Sequence, residues 1–250
     1  MYRAVPSIDP SPSNGISSKE TSSNQSFNGS EGTGNNSQLG ILSKKYESNG
    51  KPGTVSNGNG DLGGASYGAY QFASTFNVPL SFTKWLKDKD DDYYARLLSA
   101  YEKDGNKYGE KFNSTWKEIA NENSNVFLQL QHDYTKEQYY DKTISKLKND
   151  IGFDVDQHSF ALKNVIWSRS VQHGATGGAN VIINALSGLD IKSASEEEII
   201  RTIYAESGSG SKNNLKYFGG NSAAVQASVW QRLNVDEPNE ALKMLSKERN

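Results

Sequence analysis

Apolar residues recur three or four positions apart along most of the chain after residue 71, the spacing with which a helix buries one face. The segments with this pattern are SFTKWLKD, DYYARLLSAYEKDG, GEKFNSTWKEIANE, NVFLQLQHDYTKEQYYDKTISKLKND, QHSFALKNVIWSRSVQHG, GGANVIINALSG, SEEEIIRTIYAES, NSAAVQASVWQRL and NEALKMLSKE. Ser195 with Glu198 three residues later has the pattern of a capping box, and Gly174 suits a helix C-terminus. The pattern predicts a mainly helical domain.

One further helix is predicted earlier, in LGILSKKYES, where Leu39, Leu42 and Tyr46 lie near one helical face. It is expected to end near residues 49–50, because Lys-Pro-Gly follows. The next stretch, GTVSNGNGDLGGASY, is too rich in glycine for a helix. Residues 54–56 and 65–67 are predicted to pair as a short β-hairpin around its Asn-Gly-Asn-Gly turn. The predicted fold class is therefore α+β, mainly α, with one short hairpin near the start.

Residues 1–39 have a different composition from the rest of the chain. Hydrophobic residues make up 34% of the whole sequence, a low share, and the deficit lies in this segment of Ser, Asn, Gly and Pro. Such a segment cannot bury enough surface to offset the entropy of ordering it. The sequence predicts a flexible linker or tail over 1–39, a catalytic domain over 40–250, and tethering to a larger polypeptide through the linker.

Charge and cysteine content narrow the class of protein. Lys and Arg number 27 and Asp and Glu 29, for a net charge of −2, which argues against nucleic acid as the main partner. No run of apolar residues is long enough for a membrane span, and the N-terminus lacks the pattern of a signal peptide. The chain has no cysteine, and His132, His158 and His173 lack metal-ligand spacing. We expect neither a metal site nor an organic cofactor.

Glu47 and Asp61 are the candidate catalytic residues. Glu47 is expected at the end of the first helix, where apolar residues lie behind the carboxyl group and an open groove in front of it. Asp61 lies in the turn of the hairpin, which can fold back to bring it across a cleft from Glu47. Two carboxylates that flank a cleft are the working groups of a glycoside hydrolase. Glu206, which precedes Ser-Gly-Ser-Gly, repeats the arrangement, and we predict a solvated helix end there.

The segment KYESNGKPG…GDLGGASYGAYQF resembles the active-site segment of the lysozyme superfamily of glycoside hydrolases, which includes goose-type lysozymes, lytic transglycosylases and chitosanases. It is most similar to peptidoglycan-hydrolase domains of phage lysins, phage tail proteins and secreted bacterial effectors. The resemblance implies a lysozyme-like fold in which Glu47 is the catalytic acid. It also implies that Ser66, Tyr67 and Gln71 line the sugar cleft.

A second segment, NVIWSRSVQHG, is similar to a segment of the same domains. Gln172 and His173 are expected at a helix C-terminus, where the helix dipole favours a charged imidazole. They are candidates for hydrogen bonds to sugar hydroxyl or acetamide groups, although His173 as a simple helix cap is an equally good reading. Trp167, at helical spacing from Val171, is predicted to belong to the core.

These observations predict an enzyme, a muramidase-type peptidoglycan glycosidase that acts at the bacterial cell wall and cleaves the β-1,4 bond of the glycan strand. Its partner is peptidoglycan or a related aminosugar polymer. Two alternatives share Glu47, a lytic transglycosylase and a chitosanase. A third alternative belongs to another class, a non-catalytic wall-binding or virion structural module.

Overall fold

The computed structural model describes residues 39–44, 51–56 and 64–249. Most of the predicted linker, together with Glu47 and Asp61, lies outside these residues. The helices are α1 (Ile41–Lys44), α2 (Val78–Trp85), α3 (Asp91–Lys103), α4 (Glu110–Glu122), α5 (Ser124–Thr135), α6 (Asp141–Ile151), α7 (Phe160–His173), α8 (Ala175–Leu186), α9 (Glu196–Ser207), α10 (Ala223–Gln231) and α11 (Glu237–Glu248). The strands are β1 (Ser66–Tyr67), β2 (Phe72–Ala73), β3 (Gly210–Ser211) and β4 (Asn214–Leu215). The predicted α+β, mainly α class is confirmed.

The first predicted hairpin is confirmed and proves larger than expected. Val55 pairs with Tyr67 in an antiparallel bridge, and the Ser56 N–H donates to the Ser66 carbonyl at 2.9 Å. β1 also pairs with β2, with Tyr67 opposite Phe72. The prediction of helix directly after residue 71 was therefore wrong, because Phe72 and Ala73 form a strand.

A second hairpin was missed altogether. β3 and β4 pair antiparallel, with Gly210 opposite Leu215. Each strand has two residues, too few for an alternating pattern to appear in the sequence.

The buried side chains form two clusters, which define two lobes. The aromatic lobe contains residues 51–56 and 64–135, and its core consists of Tyr67, Phe72, Val78, Phe82, Leu86, Tyr93, Leu97, Phe112, Trp116, Ile119, Ala120, Phe127 and Tyr134. The aliphatic lobe contains residues 39–44 and 136–249, and its core is mostly Ala, Val, Leu and Ile. A π-helical segment, Lys136–Tyr140, joins α5 of the first lobe to α6 of the second.

The central element of the aliphatic lobe is α7, which is buried along nearly its whole length. Ser159 caps its N-terminus by accepting a hydrogen bond from the Leu162 N–H. Glu248, at the far end of α11, accepts from the N–H groups of Phe160 and Ala161 at 2.9 and 2.7 Å. Trp167 is fully buried, as predicted. The chain thus closes the N-terminal end of its central helix with side chains from two different elements.

Helix α8 packs closely on α7 because a glycine faces the contact. A Cβ atom at Gly178 would lie 2.8 Å from the Ser170 Cα, so any larger residue would force the helices apart. The predicted helix ends also hold in this region. Gly174 follows the last residue of α7, and the Ser195 hydroxyl accepts a hydrogen bond from the Glu198 N–H at the start of α9.

Candidate functional site

The residues before Glu47 are fixed on the aliphatic lobe. The N–H groups of Gly40 and Ile41 both donate to the Asn164 side-chain oxygen on α7, at 2.8 and 2.9 Å. The Trp167 indole lies against Gly40, where a Cβ atom would approach its nitrogen to 2.9 Å. The backbone at Gly40 also has φ of +94°, which favours glycine. The start of α1 is thereby held against the central helix.

The residues after Glu47 are fixed on the aromatic lobe. The Pro52 carbonyl accepts hydrogen bonds from the Trp116 indole N–H at 2.8 Å and from the Gln131 amide at 3.0 Å. The described residues that precede Glu47 and those that follow it are therefore anchored on different lobes. Glu47 itself lies outside the described residues.

Asp61 belongs to a loop whose two ends are described although Asp61 is not. Ser56 and Ser66 close this loop, since the Ser66 N–H donates to the Ser56 hydroxyl at 2.8 Å in addition to the backbone bond between them. Ser66, a predicted cleft residue, is buried in this contact. The described residues on either side of Asp61 are thus fixed on the aromatic lobe.

Tyr67 and Gln71 have different environments. The Tyr67 ring is fully buried against Trp116, and its hydroxyl donates to the Asn113 side-chain oxygen at 2.5 Å. Burial raises the pKa of Tyr67. Gln71 is only partly buried, and it has φ of +52°, a conformation that costs energy outside glycine. Its amide donates to the Gly68 carbonyl at 3.0 Å. Of the two predicted cleft residues, Gln71 is the one within reach of solvent; the roles of both in binding stay predictions.

Gln172 and His173 are buried at the end of α7. Neither the Gln172 amide nor the His173 Nε2 has a hydrogen-bond partner in the described part of the chain. The expectation of a charged imidazole was wrong. Burial, followed by the charges of Arg169 and Arg232, holds the pKa of His173 well below its ordinary value, so the ring is neutral. Their predicted contact with sugar would require the surface above them to open.

A buried ionic cluster lies beside His173, and sequence reasoning missed it. Arg169 donates to the Glu237 carboxylate at 2.5 Å and Arg232 donates to it at 2.9 Å, while the Ser168 hydroxyl donates to it at 2.5 Å. Burial raises the pKa of Glu237, but the two guanidinium groups outweigh burial and hold the pKa below its ordinary value. Residues so far apart in sequence give no periodic signal of this contact.

The lobes also meet at an aromatic junction that the sequence did not reveal. The Tyr70 hydroxyl lies 2.7 Å from the His132 Nδ1. The His132 ring stacks on Trp167, with centroids 4.8 Å apart and planes 14° apart. Tyr70 belongs to the hairpin, His132 to α5 and Trp167 to α7, so this stack connects the hairpin to the central helix. In the sequence, the position of Tyr70 within the GAYQ motif could have pointed to this junction. Nothing around His132 in the sequence pointed to it.

Glu206 is not a solvated helix end, contrary to our prediction. Its carboxylate accepts hydrogen bonds from the Tyr217 hydroxyl and from the Lys216 ammonium group, the latter at 2.6 Å. Burial raises the pKa of Glu206, but these hydrogen bonds outweigh it and hold the pKa below the ordinary value. An ionised carboxylate in this position is a structural anchor.

Across residues 39–44, 51–56 and 64–249, no group of three or more His, Asp or Glu side chains is placed to hold a metal ion. The helices within the same ranges are too short or too polar to cross a membrane.

The chain matches the family described as type VI secretion system spike protein VgrG3-like, C-terminal, over residues 39–237. This match covers far more than half of the sequence. The chain belongs to this family. It is also 37% identical over 163 residues to the type VI secretion system spike protein VgrG3 of Vibrio cholerae. The alignment covers 65% of this chain and 15% of the relative's length, so the chain spans a small part of that relative.

Membership of this family corrects the resemblance drawn from the sequence. That resemblance named the lysozyme-superfamily hydrolases and, within them, domains of phage lysins, phage tail proteins and secreted bacterial effectors. The matching family is described instead as the C-terminal part of VgrG3-like spike proteins. A lysozyme-like domain is compatible with the family. The expected link to a larger polypeptide is supported, because the Vibrio relative carries the matching region within a much longer chain.

Proposed function

We propose that this domain is a muramidase-type glycosidase that cleaves the β-1,4 bond of peptidoglycan at the bacterial cell wall. The observation that carries the proposal is the position of Glu47 in the chain. In the sequence it follows residues that are anchored on α7 of the aliphatic lobe and precedes Pro52, which is anchored on the aromatic lobe. We expect a carboxyl group between these two anchors to serve a substrate that binds between the lobes.

In this mechanism Glu47 protonates the leaving glycosidic oxygen. Asp61 then activates the attacking water or stabilises the oxocarbenium-like transition state. The described residues on either side of Asp61 are held together by the hydrogen bonds between Ser56 and Ser66. Family membership supports delivery, since a type VI secretion spike is a component of an export apparatus.

The test is the loss of turbidity of purified peptidoglycan suspensions. Glu47→Gln should abolish lysis while leaving the unfolding midpoint nearly unchanged, because the substitution preserves the shape of the side chain. Glu118→Gln, an exposed position on α4, is the matched control and should keep full activity. Lysis by the Glu47 variant would refute the assignment, as would a parent protein that binds the wall without cleaving it. Anhydro ends in the product would show that the reaction is transglycosylation and not hydrolysis.

A further inference from the structure

The second hairpin places two exposed lysines over two aromatic rings. The Lys212 ammonium nitrogen lies 4.8 Å from the centre of the Trp230 ring, and that of Lys216 lies 5.2 Å from the centre of the Tyr217 ring. Both rings are partly buried against the aliphatic core. Neither these lysines nor these rings have a role in the mechanism proposed above.

The backbone beneath these side chains is firmly held. Gln226 on α10 is buried; its side-chain oxygen accepts from the Leu215 N–H at 2.9 Å, and its amide donates to the Asn221 carbonyl at 2.9 Å. The Lys216 N–H extends the hairpin by donating to the Ser209 carbonyl. An exposed cation–π contact is worth only about 0.5–1 kcal/mol, so the lysine head can leave its ring while the ring stays in place.

Lys212 is an exposed cation in a chain whose net charge is −2. Lys216 pairs with Glu206, whereas Lys212 has no carboxylate partner among the described residues. An anionic group on a ligand that packs against Trp230 would therefore meet a cation whose charge is not already neutralised.

We propose that the β3–β4 hairpin is a binding subsite for a carboxylated aminosugar oligosaccharide. A sugar ring packs its C–H face on Trp230, which offers a large apolar surface, and a carboxylate of the peptide attached to the sugar pairs with Lys212. The inference rests on the proposed function for its substrate class, because in peptidoglycan alternate sugars carry peptides with free carboxylates. It adds a subsite far along the chain from Glu47, on α10 and the hairpin that α10 supports.

The aromatic lobe supplies a matched control with the opposite electrostatics. The Lys89 ammonium nitrogen lies 5.1 Å from the centre of the Trp85 ring, a similar pair. Here, however, Glu137 accepts the indole N–H at 3.0 Å and lies 3.9 Å from Lys89. The carboxylate of Glu137 already occupies the position that an anionic ligand would take, so this second pair should bind nothing.

The experiment is calorimetric titration of the Glu47→Gln protein with a soluble muropeptide tetrasaccharide and, separately, with uncharged chitotetraose. The carboxylated ligand should bind more tightly, and Lys212→Gln should weaken it about fivefold, which is about 1 kcal/mol. Lys89→Gln also removes one positive charge, but it should leave the affinity for the carboxylated ligand unchanged. In NMR titrations of the same protein, amide shifts should concentrate in residues 210–217.

Equal affinity for both oligosaccharides would overturn the proposal, and so would an equal effect of the two lysine substitutions or shifts that avoid the hairpin. Lys212 is exposed on a turn, so its replacement does not threaten folding. The titration needs no turnover. A protein that binds through Lys212 but never lyses walls contradicts only the proposed function, and one that lyses walls with no dependence of binding on Lys212 contradicts only the subsite.

Discussion

The two lobes solve the problem of a stable interior in different ways. The aromatic lobe packs rings around Trp116, with the Phe127 ring edge to face at 5.1 Å and the Phe82 ring tilted at 5.5 Å between centroids. The aliphatic lobe surrounds α7 with branched side chains and also buries a charged cluster at Glu237. Rings fill space with few rotatable bonds, whereas a buried carboxylate is stable only with every partner present. The first interior should tolerate local change better than the second.

Backbone strain, in contrast, is found in the aromatic lobe. Within the described ranges, the non-glycine residues with positive φ are Gln71, Asn77 and Asn106, and all three lie in the aromatic lobe. In the aliphatic lobe, glycine occupies such positions, as at Gly152 and Gly210. Strained residues persist where the surroundings fix them, so the ring packing of the aromatic lobe supports the turn that presents Gln71.

Removal of the buried Glu237 carboxylate should have the largest effect on stability. Glu237→Ala leaves Arg169 and Arg232 buried without a counter-charge, and we expect the free energy of unfolding to fall by about 3–5 kcal/mol. Urea denaturation measures this loss. The control is Glu122→Gln, which breaks the exposed pair with Arg96 in the aromatic lobe and should cost far less. Similar losses in both variants would mean that burial of the cluster does not increase its contribution to the free energy of unfolding.

The next prediction compares the two anchors that flank Glu47. Asn164→Ala leaves the N–H groups of Gly40 and Ile41 without their acceptor in a buried site, and should lower the free energy of unfolding by about 1–3 kcal/mol. Gln131→Ala removes one of two donors to Pro52, whose carbonyl the Trp116 indole still holds, and it also removes the acceptor of the Ala69 N–H in the hairpin.

We therefore expect wall lysis, measured under conditions where both proteins are folded, to fall further for the Asn164 variant than for the Gln131 variant. The reverse order would mean that the anchor at Pro52, on the aromatic lobe, matters more for lysis than the anchor on α7.

The smallest expected effect is a pH dependence at the start of α7. Burial raises the pKa of Glu196, but hydrogen bonds from Ser159 and His158 outweigh it and hold the pKa below its ordinary value. The ionised form of Glu196 therefore stabilises the fold when the pH is above the pKa of an ordinary glutamate. This contribution is lost as the pH falls through the lowered pKa of Glu196. Since the group is partly exposed, we expect about 1 kcal/mol or less.

Thermal unfolding of the parent and of Glu196→Gln should differ at pH 7 and converge as the pH is lowered below about 4. A difference that persists at low pH would show that the substitution disturbs packing and not charge. Glu118→Gln, on the surface of the aromatic lobe, provides the reference for a carboxylate that makes no such contacts.

The sequence predicted what depends on local pattern. The nine helical segments predicted after residue 71 correspond to the ten helices α2–α11, since one predicted segment spans both α5 and α6. Ser195 and Gly174 marked two helix ends. The first hairpin was visible because its glycine-rich turn excludes a helix. Strands of two residues, such as β2 and β3, carry no period and were missed.

The parts of the candidate site that were missed depend on contacts between distant residues. Tyr70 and His132 are 62 positions apart, and Arg169 and Glu237 are 68 apart. No local pattern encodes such a pair, and only the folded chain brings them together. The neutral state of His173 has the same origin, because the helix end alone favours charge while Arg169, Arg232 and burial oppose it.

The two lobes also differ in how the chain must assemble them. All described residues of the aromatic lobe lie between 51 and 135 in the sequence, so during synthesis this lobe can fold as soon as α5 has been made. The aliphatic lobe needs residues 39–44 from before that range and Glu248 near the end of α11 after it, since both contact α7. Its early residues must wait until α7 has been translated. We therefore expect the aromatic lobe to fold first and α11 to complete the aliphatic lobe.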